Sequence, residues 1–173
     1  NYILTRMQRE NLSFDDALKV AQDLGYAEKV NPAADIEGND AACKLAILCS
    51  IAFNSRVVFN EVYKEGIKKI TLEDIKHAGD MGYVIKLLAI GSDEGGSICA
   101  RVHPALIPKE HILSSISYAN NAVYLYGIFV GEVMSDGQVA GAMPTASSVV
   151  GELIQMARIF NRVNKQLVLV CTC

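Results

Sequence analysis

The chain has 173 residues, of which 51% are hydrophobic and 20% charged, with a net charge of -3 and no tryptophan. This is the profile of one folded domain with a sizeable core, not of a disordered chain. It argues against a nucleic-acid binder, because no basic run is longer than Lys68-Lys69, and against a membrane protein, because the longest apolar stretches fall well short of a span.

Residues 1–10 read as a short amphipathic helix. It begins as the body of a helix with no cap before it, and the chain does not start with methionine, so a folded segment is expected to precede Asn1. Ser13 caps a second helix, with Asp16 three residues on and Gly25 as the stop. Phe14, Ala17, Leu18, Ala21 and Leu24 form its apolar face at helical spacing. Residues 26–38 read as a loop containing Pro32 and ending near Gly38. A third helix is expected over 39–54. Ala41, Leu45, Leu48 and Ala52 leave it apolar on most sides, so it is expected to be buried.

Residues 56–62 fit a short strand or a helix end. Thr71 caps a helix to about Met81, closed by Gly82. Residues 83–91 and 97–107 are strand-like and flank the Asp93-Glu94-Gly95-Gly96 turn, which predicts a hairpin. Residues 121–133 are β-rich, with breaks or bulges at Gly127 and Gly131. A glycine-containing loop over 135–142 opens a last long helix at Pro144, running to about Asn161. The expected fold is α+β, with helices packed on one face of a mostly antiparallel sheet, and one domain over 1–173.

No Gly-x-Gly-x-x-Gly follows a strand and no phosphate-loop lysine motif is present, so the chain carries no dinucleotide fingerprint. The most informative stretch is 25–44, which places Glu28, Asp35, Glu37 and Asp40 on a short loop feeding an apolar helix. Asp40 in the first turn puts Lys44 one turn on, on the same face, where the two can hold a substrate hydroxyl or carbonyl. The ordinary alternative is a carboxylate favouring the helix dipole and a solvated lysine paired to it. Spacing leaves both readings open. Cys43, Leu45, Ala46 and Ile47 surround Lys44, and a lysine in such company is expensive unless it is paired or lines a cleft.

The run Ala21-x-x-x-Gly25-Tyr26-Ala27, then Asn31-Pro32-x-x-Asp35-Ile36-x-Gly38-x-Asp40-x-x-x-Lys44, resembles the signature of the homoserine dehydrogenases. Asn1-Tyr2-Ile3-Leu4 resembles the start of that family's catalytic domain, just after a Gly-Thr pair. Gly141-x-x-Pro144-Thr145-Ala146-Ser147 resembles its closing loop and helix. The resemblance covers about the first 160 residues.

That resemblance implies a substrate-binding domain without its nucleotide-binding partner domain. The family reduces aspartate β-semialdehyde to homoserine with NADPH or NADH, on the way to threonine, methionine and isoleucine. By motif position Lys44 corresponds to the acid/base lysine, Glu28 and Asp40 to substrate-binding carboxylates, and Asp35 to a supporting one. Gly141 corresponds to a glycine that approaches the NAD(P) cofactor. The family's sheet carries a dimer interface, so a homodimer is expected. The substrate's amino group needs anionic acceptors, a role open to Glu28 and Asp35. The aldehyde oxygen gains negative charge as hydride arrives, and a charged donor aimed at it lowers the barrier, a role for Lys44. The sequence departs from the family in two places. Val139 and Ala142 stand where it has glycines, and the segment between Glu28 and Pro32 carries one extra residue. The altered 137–142 loop supports an alternative: a non-catalytic dimerisation or assembly domain derived from the same fold.

Other candidates read as structural. The five cysteines, Cys43, Cys49, Cys99, Cys171 and Cys173, are odd in number, at spacings that fit neither zinc nor a disulfide framework. Small buried thiols in a reducing cytoplasm are expected, with Cys43 and Cys49 on different faces of one helix. His77, His103 and His111 have no partner at metal spacing. Lys86 fits an edge or a cleft residue, the edge reading being favoured, and Tyr118, Tyr124 and Tyr126 fit packing on the sheet.

Overall fold

Hydrophobic period shapes the longer elements of this chain, and side-chain caps at Ser13 and Thr71 set the starts of two helices. The computed structural model describes residues 1–138 and 141–170, and for 162–170 the backbone alone. They fall into two units, 1–137 and 138–173.

In the first unit, α1 (Tyr2–Glu10) and α2 (Phe14–Asp23) pack together through Ile3, Leu4 and Met7 of α1 and Ala17 and Ala21 of α2. Ser13 caps α2 by accepting from the Asp16 N–H at 3.2 Å. Gly25 follows with φ 76°, the left-handed stop expected of it. Leu24, placed on the apolar face by its spacing, is exposed, because α2 ends at Asp23 and Leu24 only caps it. The segment 26–38 is not wholly loop: one turn, α3 (Ala33–Ile36), follows Pro32.

Helix α4 (Asn39–Ala52) is where expected, but only half buried. Ala42, Leu45, Ala46 and Cys49 pack inward, whereas Ile47, Leu48 and Ile51 are exposed. An apolar composition all round does not bury a helix that has a sheet on one side only. Residues 56–62 form no strand: a single 3-10 turn lies at Phe59–Glu61, and β1 (Tyr63–Lys64) follows it.

Helix α5 (Leu72–Asp80) carries a capping box, Thr71 accepting from the Asp74 N–H at 3.1 Å while Asp74 accepts from the Thr71 N–H at 2.8 Å. Strands β2 (Tyr83–Asp93) and β3 (Ile98–Pro108) form the expected hairpin, paired from Tyr83↔Pro108 to Asp93↔Ile98. Strand β1 adds in parallel to β3, giving the order β1-β3-β2. The core lies in two clusters. One joins α1, α2, Ile36, Ile67 and Ile75 to Ile85 and Leu87 of β2. The other joins α4 to Val62 and Val102. A separate hairpin, β4 (Asn120–Gly127) and β5 (Gly131–Gln138), splits the β-rich stretch at its two glycines. The architecture is α+β with small mixed and antiparallel sheets.

The described residues of the second unit lie almost wholly in one helix, α6 (Ala142–Val170). It starts two residues before Pro144 and runs nine past Asn161. Pro144 still falls in its first turn, where a missing N–H costs nothing. Strand β5 extends to Gln138, so the expected loop is shorter, and Val139 and Ala140 lie outside the described residues.

Candidate active site

The segment 25–44 folds as turn, single helical turn, glycine and helix. After Gly25 the chain crosses to α3, and Asp35 there accepts the backbone N–H of Glu28 at 3.1 Å. Gln22 of α2 donates to the Glu28 carbonyl at 2.9 Å. Glu28 is therefore held by its backbone from both sides, and its side chain is exposed. Asp35 is half-buried, as a residue with a structural bond should be.

Gly38 turns the chain into α4 with φ 81°, a conformation that favours glycine. A Cβ there would sit 3.0 Å from Val102 Cγ1 of β3. Asp40 falls in the first turn of α4, and its Oδ2 accepts from Lys44 Nζ at 2.7 Å. The expected one-turn pair exists. Its setting differs from the expectation drawn from Lys44's neighbours. The side chains of Lys44 and Asp40 are 67% and 53% exposed, so burial does not force the pairing. The apolar neighbours in sequence lie round the helix, and Lys44 stands on its open face beside Cys43 and Ile47.

Glu28 with Asp35, and Asp40 with Lys44, thus form two pairs on one continuous segment. Among the described residues no hydrogen bond joins one pair to the other. Gly141 belongs to the second unit. Its φ of 114° suits glycine, and among the described residues a Cβ would meet only Pro144 Cδ, at 3.8 Å. Ala142, in place of a family glycine, is the first residue of α6.

One residue escaped the sequence reading, and a second, read as an edge or cleft lysine, is buried. Gly66 lies where the chain leaves β1: a Cβ there would come within 2.2 Å of the Ile36 carbonyl oxygen. This close approach lets Ile67 N–H donate to Ile36 O at 2.8 Å, while Glu65 N–H donates to Val102 O at 2.8 Å. The turn between Asp35 and Asp40 is fastened to the sheet in this way. The signal was slight: one glycine with no turn partner beside it. Lys86 is the second. Strand β2 is an edge strand, as expected, but Lys86 is buried, not a solvated guard. Burial, then the charge of Arg9, lowers its pKa to about 8.

The remaining candidates are structural. His111 caps a 3-10 turn by accepting from the Leu113 N–H at 3.1 Å, and its ring lies 5.5 Å from that of Tyr124. His103 is in mid-strand against the Pro104 carbonyl, and His77 is exposed on α5. Tyr118 is not on the sheet but in the turn before β4, with φ 55°. Tyr126 is 75% exposed. Cys49 is buried, which raises its pKa, but Cys43 is exposed and Cys99 intermediate, so only one of these three is the expected buried thiol. Cys171 and Cys173 lie outside the described residues. Among the described residues no group of three His, Cys, Asp or Glu side chains could hold a metal, and no helix is long and apolar enough to cross a membrane. A shallow depression between 110–112 and the β4–β5 hairpin, lined by His111, Tyr124 and Glu132, involves none of residues 28–44.

The sequence model of the family described as homoserine dehydrogenase matches residues 1–154. The chain belongs to the homoserine dehydrogenase family. The homoserine dehydrogenase of Neisseria gonorrhoeae is 45% identical over 159 residues, covering 92% of this chain and 36% of the relative. That of Mycobacterium leprae is 48% identical over 168 residues, covering 94% and 37%. The crystal structure of a homoserine dehydrogenase from Thiobacillus denitrificans superposes with a TM-score of 0.86 at 45% identity, over 94% of this chain and 37% of that one. A hyperthermophilic archaeal homoserine dehydrogenase mutant in complex with NADPH gives a TM-score of 0.66 at 27% identity, over 89% and 43%. The chain therefore spans a little over a third of the length of these curated relatives.

Proposed function

We propose that this chain is the substrate-binding and catalytic part of an enzyme that reduces aspartate β-semialdehyde to homoserine with NAD(P)H. The observation that carries the reading is the Asp40–Lys44 pair, 2.7 Å apart on the open face of α4, within a chain of this family. An ammonium there is free to leave one acceptor for another, because water already solvates both partners.

The roles follow from charge. Glu28 and Asp35 offer carboxylate oxygens to the substrate's amino group. Asp40 orients Lys44 by its hydrogen bond. Lys44 donates to the aldehyde oxygen and gives it a proton as that oxygen becomes an alkoxide, then a hydroxyl. NAD(P)H, when bound, supplies the hydride to the carbonyl carbon. Gly141 is this chain's own contribution to holding it. Preference between NAD and NADP is read by a dinucleotide-binding fold, and this chain has no glycine fingerprint for one. The reduction needs Lys44 as the ammonium ion; the reverse oxidation needs the amine or a water relay. The domain over 1–173 is read as the catalytic half, acting in the cytoplasm with its own nucleotide-binding domain. Exposed Val123, Leu125 and Val133 on the β4–β5 hairpin support a homodimer through the sheet.

The test is NAD(P)H oxidation, followed spectroscopically, by this chain joined to a homoserine dehydrogenase nucleotide-binding domain. Turnover with aspartate semialdehyde is expected; its absence would leave the non-catalytic assembly domain as the reading.

A further inference from the structure

Lys86 is 7% exposed, although it carries a charge. Among the described residues no carboxylate lies within ion-pair distance of it. Its Nζ donates instead to Asn1 Oδ1, at 3.3 Å, and to the Ile116 carbonyl. A buried ammonium held by neutral acceptors is costly, and a leucine or methionine would fill the same space without that cost. Packing alone therefore does not account for a lysine here.

What it holds is the start of α1. Asn1 Nδ2 donates to the carbonyls of Asn120, at 2.8 Å, and Tyr118, at 3.4 Å. Thr5 Oγ1 donates to Asn1 O at 3.0 Å and accepts from the Tyr118 N–H at 3.2 Å. Because the Asn1 side chain is committed to this network, it makes no capping bond to α1. Lys86, Asn1 and Thr5 thus lock the first turn of α1 to the 116–120 turn.

Tyr2, next along that first turn, carries the restraint onward. Its ring lies 4.9 Å from that of Tyr26 and 6.1 Å from that of Tyr118. Tyr26 is two residues before Glu28, whose N–H is held by Asp35. A continuous path of hydrogen bonds and ring contacts joins β2 to the carboxylate loop. We infer that Lys86 is a positioning residue for the Glu28–Asp35 pair, acting through Asn1 and Tyr2. The inference rests on the proposed role of that pair only for its kinetic consequence, and its structural consequence stands without it.

Two measurements test it. Amide hydrogen exchange is read on this chain with Lys86→Met, comparing residues 26–28 with α4, which belongs to the other core cluster. Exchange at 26–28 is expected to quicken on the order of tenfold while α4 is unchanged. No change at 26–28, or an equal quickening everywhere, overturns the inference. If Lys86→Met does not fold, Tyr2→Leu decides by the same readout. In the chain joined to a nucleotide-binding domain, Lys86→Met is expected to raise KM for aspartate semialdehyde roughly tenfold with kcat within about twofold. Lys86→Arg, which keeps the charge and the donors, is expected to restore much of the loss. A fall in kcat with KM unchanged contradicts the positioning role. An unmutated enzyme without turnover overturns the function instead, and leaves the exchange result to judge Lys86.

Discussion

More than half of each side chain in the Asp40–Lys44 pair stands in water. Such a pair contributes about 0.3–0.5 kcal/mol to stability. Stability and activity therefore separate at Lys44. Lys44→Met is expected to leave the denaturation midpoint nearly unchanged and to lower kcat by about a hundredfold or more in the joined enzyme, a split read by melting and by initial rates. Lys86 is expected to act on stability, and on KM more than on kcat. Its pKa is lowered to about 8 by burial, against 10.5 for an ordinary lysine. Between these values the unfolded chain binds the extra proton, so stability from this residue rises as pH rises from about 8 to 10.5. The charge facing it is Arg9. Urea unfolding of the wild type against Lys86→Met is expected to show the wild type gaining relative to the variant across that window. A flat difference would mean that the ammonium is not buried when folded. The contrast between the two lysines also marks what the sequence withholds. Both sit among apolar neighbours, and Lys44 was expected in the costly setting. Rotation about the helix and packing of the sheet edge reversed the two.

At the scale of elements, ends were legible wherever a side chain makes the cap. Ser13, Thr71 with Asp74, Gly25 and Gly82 set boundaries that the backbone repeats. Thr71→Ala is expected to destabilise the chain by about 1 kcal/mol, seen as a lower melting temperature with KM little changed, because among the described residues α5 makes no hydrogen bond to residues 28–44 and meets them only through the packing of Ile75 in the core that holds Ile36. Elements fixed by tertiary contact were not legible. The two-residue β1 exists because it pairs with Arg101 and Val102, and nothing local announces it. The exposed face of α4 is a matter of what lies on either side of it. Gly66 is the same kind of case, its need set by the Ile36 carbonyl across the gap. Gly66→Ala is expected to cost about 3 kcal/mol and, in the joined enzyme, to raise KM, because the turn carrying Asp35 and Asp40 must move. An alanine variant with wild-type melting and KM would contradict the fastening role given to this turn. The Asp40–Lys44 pair was legible from i, i+4 spacing alone. Its meaning was not, since a solvated surface pair has the same spacing.

At the scale of the whole molecule, the first unit carries two core clusters and every proposed substrate contact, and the second carries the glycine proposed to meet the cofactor. The chain spans a little over a third of its relatives. By itself it is expected to show no turnover and no NADPH binding in the micromolar range, checked by fluorescence titration, because no glycine-rich dinucleotide fingerprint is present. The most direct measurement is NAD(P)H oxidation with aspartate semialdehyde by the chain joined to a nucleotide-binding domain, with and without Lys44→Met. Turnover is expected in the first and its near-complete loss in the second. No turnover in either, or full activity without the Lys44 ammonium, would contradict the proposed function.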